Sequence, residues 1–104
     1  MQVHVRTDNH IAGRERLANY ITSVVEGSLA HFEQRITRVE VHLSDANGHK
    51  PGADDKRCVM EARLQGEHPI AVSHCSGTVD EAINATADKL RRLVIDTLRR
   101  KRDN

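Results

Sequence analysis

The apolar residues of this chain switch period along its length, and each period-two segment is apolar on one face only. In MQVHVRT, residues 1–7, Val3 and Val5 point one way while Gln2, His4 and Arg6 point the other. In TRVEVHLS, residues 37–44, Val39, Val41 and Leu43 alternate with Arg38, Glu40 and His42. RCVMEARLQ, residues 57–65, puts Cys58, Met60, Ala62 and Leu64 on one face, and PIAVSHC, residues 69–75, does the same with Ile70 and Val72. These are half-buried strands. Matching apolar positions pairs Leu64 with Ile70 and Ala62 with Val72 across a turn at Gly66.

Two segments have helical period instead. Leu17, Ile21, Val24, Val25 and Leu29 recur at spacings of three and four, which predicts an amphipathic helix over about residues 13–31, with Gly13 the best N-cap candidate. Residues 78–100 open with a capping box, Thr78 to Glu81, and carry Ile83, Ala87, Leu90, Val94 and Leu98 as one stripe. The order is strand, helix, three strands, helix. A strand–helix–strand unit crosses over right-handed, so the first two strands are parallel and adjacent, and the others form an antiparallel meander. Strands with one apolar face need helices on that face alone. The expected fold is therefore α+β: a two-layer β-α-β-β-β-α sandwich, a four-stranded mixed sheet with both helices on one face.

A chain of 104 residues is expected to form one domain, here residues 1–100, followed by a frayed basic tail over residues 101–104. No apolar run is long enough to span a bilayer and no signal-peptide pattern opens the chain, so it reads as cytoplasmic, without a membrane partner. Cys58 faces the core side and Cys75 the opposite side, which predicts two free thiols.

Net charge is only +1, but it is unevenly placed. Residues 1–88 hold nine Lys and Arg against thirteen Asp and Glu, whereas Lys89, Arg91, Arg92, Arg99, Arg100, Lys101 and Arg102 crowd the end, opposed by Asp96 and followed by Asp103. On a helical wheel Lys89, Arg92, Arg99 and Arg100 fall opposite the apolar stripe, with Arg91 on its flank. Lys101 falls back onto the stripe, so packing is expected to end near residue 100. A rigid ridge of guanidinium groups suits phosphates, which Arg grips bidentately. The candidate RNA-binding residues are Lys89, Arg91, Arg92, Arg99, Arg100 and Arg102. Lys50, Lys56 and Arg57, flanking the polar loop, are a candidate secondary contact. With Tyr20 and Phe32 its only Tyr and Phe and no Trp, the chain is poorly equipped for base stacking as its main mode of capture.

The opening strand MQVHVRTDNH, the second strand RITRVEVHLS and the last helix DEAINATADKLRRLV, with Asp88-Lys89-Leu90 followed by Arg92, resemble the ribosome hibernation-promoting factor family in its short form. These proteins are also known as ribosome-associated inhibitors or ribosomal subunit interface proteins. The resemblance covers nearly the whole chain. It implies a non-enzymatic protein that binds the small ribosomal subunit in the decoding region through basic helix residues and silences translation. Lys89 and Arg92 match the family's basic helix positions. Two departures stand out: Asp96 sits one turn beyond Arg92, where the family usually has a basic residue, and the first helix lacks lysines.

Other chemistries find less support. Asp45, Asn47, His49, Asp54 and Asp55 invite a metal reading, but no Glu closes a twelve-residue calcium loop, so no metal is expected. No nucleophile–base spacing argues for catalysis. No cofactor and no small-molecule substrate are expected. The histidines read as ordinary surface or rim residues, with His74 partly buried at the end of the sheet. The alternative function is a stand-alone double-stranded RNA-binding module, in which three strands and a helix read A-form shape; the additional first strand argues against it.

Overall fold

The computed structural model describes residues 1–8, 11, 13–45 and 55–103. Its elements run β1 (Gln2–Thr7), α1 (Arg14–Ser28), a 3₁₀ segment (Ala30–Arg35), β2 (Ile36–Asp45), β3 (Lys56–Leu64), β4 (Ile70–Ser76) and α2 (Val79–Asp103). The sheet order is β1-β2-β3-β4. β1 pairs parallel to β2, Val3 beside Val39 and Val5 beside Val41. The other two pairings are antiparallel. Both helices cover one face, α1 packing on β1 and on α2, and α2 on β3 and β4. This is the two-layer α+β sandwich that the alternating pattern requires.

The alternation places the core as expected. Val39, Val41, Leu43, Cys58, Met60, Ala62 and Leu64 are buried, and Ile83, Ala87, Leu90 and Val94 press onto them from α2. Burying a Leu or Val side chain stabilises by about 1.5–3 kcal/mol, so this stripe is what fixes α2 to the sheet. Thr86 lies in the same layer with its hydroxyl fully buried. It donates to the Ala82 carbonyl at 2.6 Å, with the Cys58 carbonyl of β3 at 3.3 Å.

Three details depart from the sequence reading. α1 ends at Ser28 rather than residue 31, and the chain tightens into the 3₁₀ segment, where the Phe32 N–H donates to the Leu29 carbonyl at 2.9 Å. Gly27 and Ser28 are weak helix formers, while Leu29 must remain in the core, where it is 1% exposed. The β3–β4 hairpin pairs Ala62 with Ile70 and Met60 with Val72, two residues from the expected register. The Leu64 carbonyl accepts from the Glu67 N–H at 3.2 Å within the turn, and the ladder to β4 starts at Ala62 and Ile70. A shift of two keeps every side chain on its expected face. Finally, α2 continues through Asp103, where a frayed tail was expected from residue 101. Lys101 accounts for this: its ammonium reaches back to the Gln65 carbonyl at 3.4 Å and to Glu67 at 3.6 Å. Gly66, at φ +75°, holds the turn in a left-handed conformation, and a Cβ there would stand 3.1 Å from the Lys101 ammonium.

Helix starts follow the sequence in part. Gly13, in the left-handed region, occupies the N-cap of α1. At α2 the Glu81 N–H donates to the Thr78 hydroxyl at 3.2 Å, but the Glu81 carboxylate accepts from Ser76 at 2.7 Å instead of closing the box. Cys58 is buried and Cys75 exposed, and both are free thiols. No helix among the described residues is long and apolar enough to cross a membrane.

Candidate nucleic-acid interface

α2 is 25 residues long, about 37 Å at 1.5 Å per residue. It is polarised: Asp80, Glu81 and Asp88 lie in its first half, and the basic side chains crowd the second, where the exposed Asp96 sits among them. Leu90 and Val94 are 0% exposed, which fixes the rotation of the helix and turns Arg91, Arg92, Arg99, Arg100 and Arg102 into solvent. Arg91, Ile95, Arg99 and Arg102 follow at intervals of four, four and three and so share one row along the helix.

The basic side chains are not equivalent. Lys89 leans toward the sheet, its ammonium donating to the Ser73 carbonyl of β4 at 3.0 Å. Arg92 pairs with Asp88 one turn earlier; the two side chains are 70% and 53% exposed. A solvated i,i+4 pair of this kind holds by only about 0.3–0.5 kcal/mol, which a phosphate can displace. Among the described residues no ion pair engages Arg91, Arg99 or Arg100.

The expected secondary patch is divided. Lys56 is drawn between two buried carboxylates, Asp55 at 2.8 Å and Asp45 at 3.4 Å. The hydrogen bond that its ammonium donates to Asp55 is the main reason its pKa stands above the ordinary lysine value. Arg57 is exposed, but it sits opposite Cys75 on the outer face of the sheet, so the sheet separates it from the α2 ridge. Lys50 lies outside the described residues, as do Asn47, His49 and Asp54 of the polar loop. The outer face carries Arg6, Arg38, Arg57 and Arg63 among Glu40 and Glu61, a mixed field in which Arg38 approaches Glu40 at 3.7 Å.

The family model described as Sigma 54 modulation protein / S30EA ribosomal protein matches residues 3–102. The chain belongs to that family. Among solved structures, this S30EA-family chain is similar to a ribosomal subunit interface protein from Coxiella burnetii. That match has a TM-score of 0.65 and 13% identity, over 93% of this chain and 97% of that one. The N-terminal domain of Protein Y from Thermus thermophilus superimposes with a TM-score of 0.58 and 20% identity, over 89% of this chain and 91% of that one. At such identities the shared property is the fold. No curated protein matches the sequence.

Within the S30EA fold of this chain, the end formed by the 3₁₀ segment and the last turns of α2 gathers nitrogen-bearing side chains that charge counting along the tail did not include. Arg35 and His31 of the 3₁₀ segment stand across from Arg99 and Arg102. The available signal was weak: Arg35 is a lone basic residue just before a strand, in a segment whose periodicity reads as the end of a helix. The buried Cys58 is not poised for chemistry. Desolvation pushes its thiol up to about 11, against a smaller opposing effect of Thr86; a reactive cysteine needs the reverse shift. Among the described residues no group of three or more His, Cys, Asp or Glu is arranged to hold a metal ion.

Proposed function

We propose that this chain is a non-enzymatic ribosome-binding protein that acts in the cytoplasm, occupies the decoding region of the small subunit through the basic face of α2, and silences translation. The observation that carries the reading is the outward row on α2. Arg91, Arg99, Arg100 and Arg102 are exposed on a helix held to the sheet by Leu90 and Val94, with Asp96 the exposed carboxylate among them. A fixed array of guanidinium groups suits a folded RNA, whose phosphates are also fixed, because little side-chain order has to be imposed on binding. Membership of a ribosomal protein family supports the ribosome as the source of that RNA. Lys89 and Arg92 join the footprint once their weak partners exchange for phosphate. Arg57, with Lys50, would add a second and separate contact. Binding, not turnover, is the activity, and it calls for no cofactor.

If about four to six phosphates are engaged, affinity for small subunits should fall with salt at a log–log slope of roughly minus three to minus five. Arg92→Glu combined with Arg99→Glu should abolish co-sedimentation with purified small subunits while the folded spectrum persists. Co-sedimentation that survives this double reversal overturns the reading. Tighter binding to naked duplex RNA than to subunits would favour the RNA-binding module instead.

A further inference from the structure

The 3₁₀ segment and the last turns of α2 enclose an open cleft of about 680 Å³, within the range of pockets that hold small ligands. Phe32, Ile95 and Leu98 line it, all of them partly exposed. Arg35, Arg99 and Arg102 also line it, and His31 meets the Phe32 ring edge-on with centroids 6.4 Å apart. Lys101 borders it too, but its ammonium is turned toward Gln65 and Glu67. Among the described residues, no carboxylate is part of the lining.

Ile95 is the telling residue. It lies outside the buried stripe of α2 and interrupts a row that is otherwise Arg91, Arg99 and Arg102. An isoleucine within a phosphate-binding row contributes nothing to phosphate binding. It makes sense where something apolar meets it, and across from it stands Phe32, one of only two phenyl-type rings in the chain. The cleft therefore combines a flat apolar base with a cationic border. The C-terminal dipole of α2 opposes anions by roughly half an elementary charge, which the guanidinium groups of Arg35 and Arg99 already outweigh.

We propose that this cleft accepts one unstacked nucleotide of the bound RNA. Its base lies against Phe32, Ile95 and Leu98 with His31 at the edge, and its flanking phosphates meet Arg35, Arg99 and Arg102. RNA recognition commonly splays out single bases onto aromatic and histidine rings while arginines hold the backbone. The inference rests on α2 being the RNA-binding surface. It adds a base-reading position to what would otherwise be phosphate contacts alone.

Two measurements test it. In amide-resolved NMR of the full chain, adenosine 5′-monophosphate should shift Phe32, Ile95, Leu98 and the His31 ring, whereas ribose 5-phosphate should move only the arginines. Equal responses to both, or none to the nucleotide, overturn the proposal. So does an equal response to N-acetyl-leucine, which would mark a site for a peptide carboxylate. In small-subunit binding, His31→Ala with Ile95→Ala should weaken affinity about tenfold at an unchanged salt slope, because apolar contact is lost and phosphate contact kept. If that variant binds as the parent does, the cleft reading fails while ribosome binding stands. If the parent chain does not bind subunits at all, the broader function fails and the nucleotide titration still judges the cleft.

Discussion

The Tyr20 phenol donates a 2.6 Å hydrogen bond to the carboxylate of Asp80, joining the middle of α1 to the first turn of α2. Asn84 completes the link, its amide donating to the Tyr20 oxygen at 3.0 Å and to the Asp80 carbonyl at 2.9 Å. The acidic start of α2 is thus engaged within the molecule, beside Arg16 and Tyr20 of α1, while its basic end is left to meet something else. Tyr20→Phe should cost about 0.5–1.5 kcal/mol in urea unfolding, because the bond is exposed and water competes for it. It should leave subunit binding unaltered. A loss of binding without a loss of stability would place the interface at the wrong end of α2.

The Asp88–Arg92 pair makes a finer prediction about the ridge. Asp88→Asn removes an exposed partner worth only a few tenths of a kcal/mol, so stability should barely change. Arg92 then meets phosphate without first giving up a carboxylate, so subunit binding should tighten about twofold at an unchanged salt slope. An unaltered affinity would mean that Arg92 does not reach RNA in the complex.

Leu90 is completely buried between α2 and the sheet. Leu90→Ala should destabilise the protein by about 2–5 kcal/mol through lost burial and the cavity left behind. Thermal or urea unfolding measures this directly. Subunit binding should weaken in proportion to the unfolded fraction, since the substitution touches none of the exposed cations.

The two cysteines should separate cleanly in alkylation kinetics. Cys75 is exposed and should react with iodoacetamide at the rate of a free thiol. Cys58 is buried, with its thiol held up to about 11, so at pH 8.5 it should label only through unfolding. The neutral thiol is the favoured folded form. Its stabilising effect is therefore complete below the unfolded thiol value and disappears as pH rises through about 11. Rapid labelling of both thiols in the native protein would contradict the burial of β3.

Lys56 predicts a pH response of its own. Its folded pKa lies above the ordinary value of 10.5. The stability it contributes is present throughout the neutral range and lost as pH climbs past that value. Lys56→Met leaves Asp45 and Asp55, both buried, without this cation. The variant should be less stable than the parent at pH 7, and the gap should close as pH climbs above 10.5, where the parent's lysine also gives up its charge. A gap that persists unchanged through that range would show that the lysine acts through packing alone.

The alternation of Val39, Val41 and Leu43 and of Cys58, Met60 and Ala62 was enough to read the sheet, its buried face and the placement of both helices, because a period-two error would invert a whole strand. What the pattern could not carry was detail set by single groups. The turn that the Glu67 N–H closes on the Leu64 carbonyl leaves Ala62, not Leu64, beside Ile70. The left-handed Gly66 let Lys101 close over a turn, which extended α2. The rotation of α2, and so the outward direction of Arg91, Arg99 and Arg100, was legible from Leu90, Val94 and their neighbours. The partners of individual cations were not: Lys89 finding Ser73, Arg92 finding Asp88 and Lys56 finding Asp45 and Asp55 all depend on distances of a few ångströms. The cleft was hidden for a related reason, since its two walls are separated in sequence by most of the chain.

Each residue of β1 pairs with a residue 36 positions later, Gln2 with Arg38 and Val3 with Val39. During synthesis the first strand is therefore made long before its only neighbour in the sheet, and it can be placed only after α1 has crossed over. By contrast, β2, β3 and β4 connect by hairpins and can assemble locally. Closing long chain segments is slow compared with hairpin formation. The N-terminal strand should accordingly be the last to dock, and the three-stranded meander under α2 the part that refolds first. The end of the chain that carries the arginines would then be in working order before the beginning of the chain has found its place.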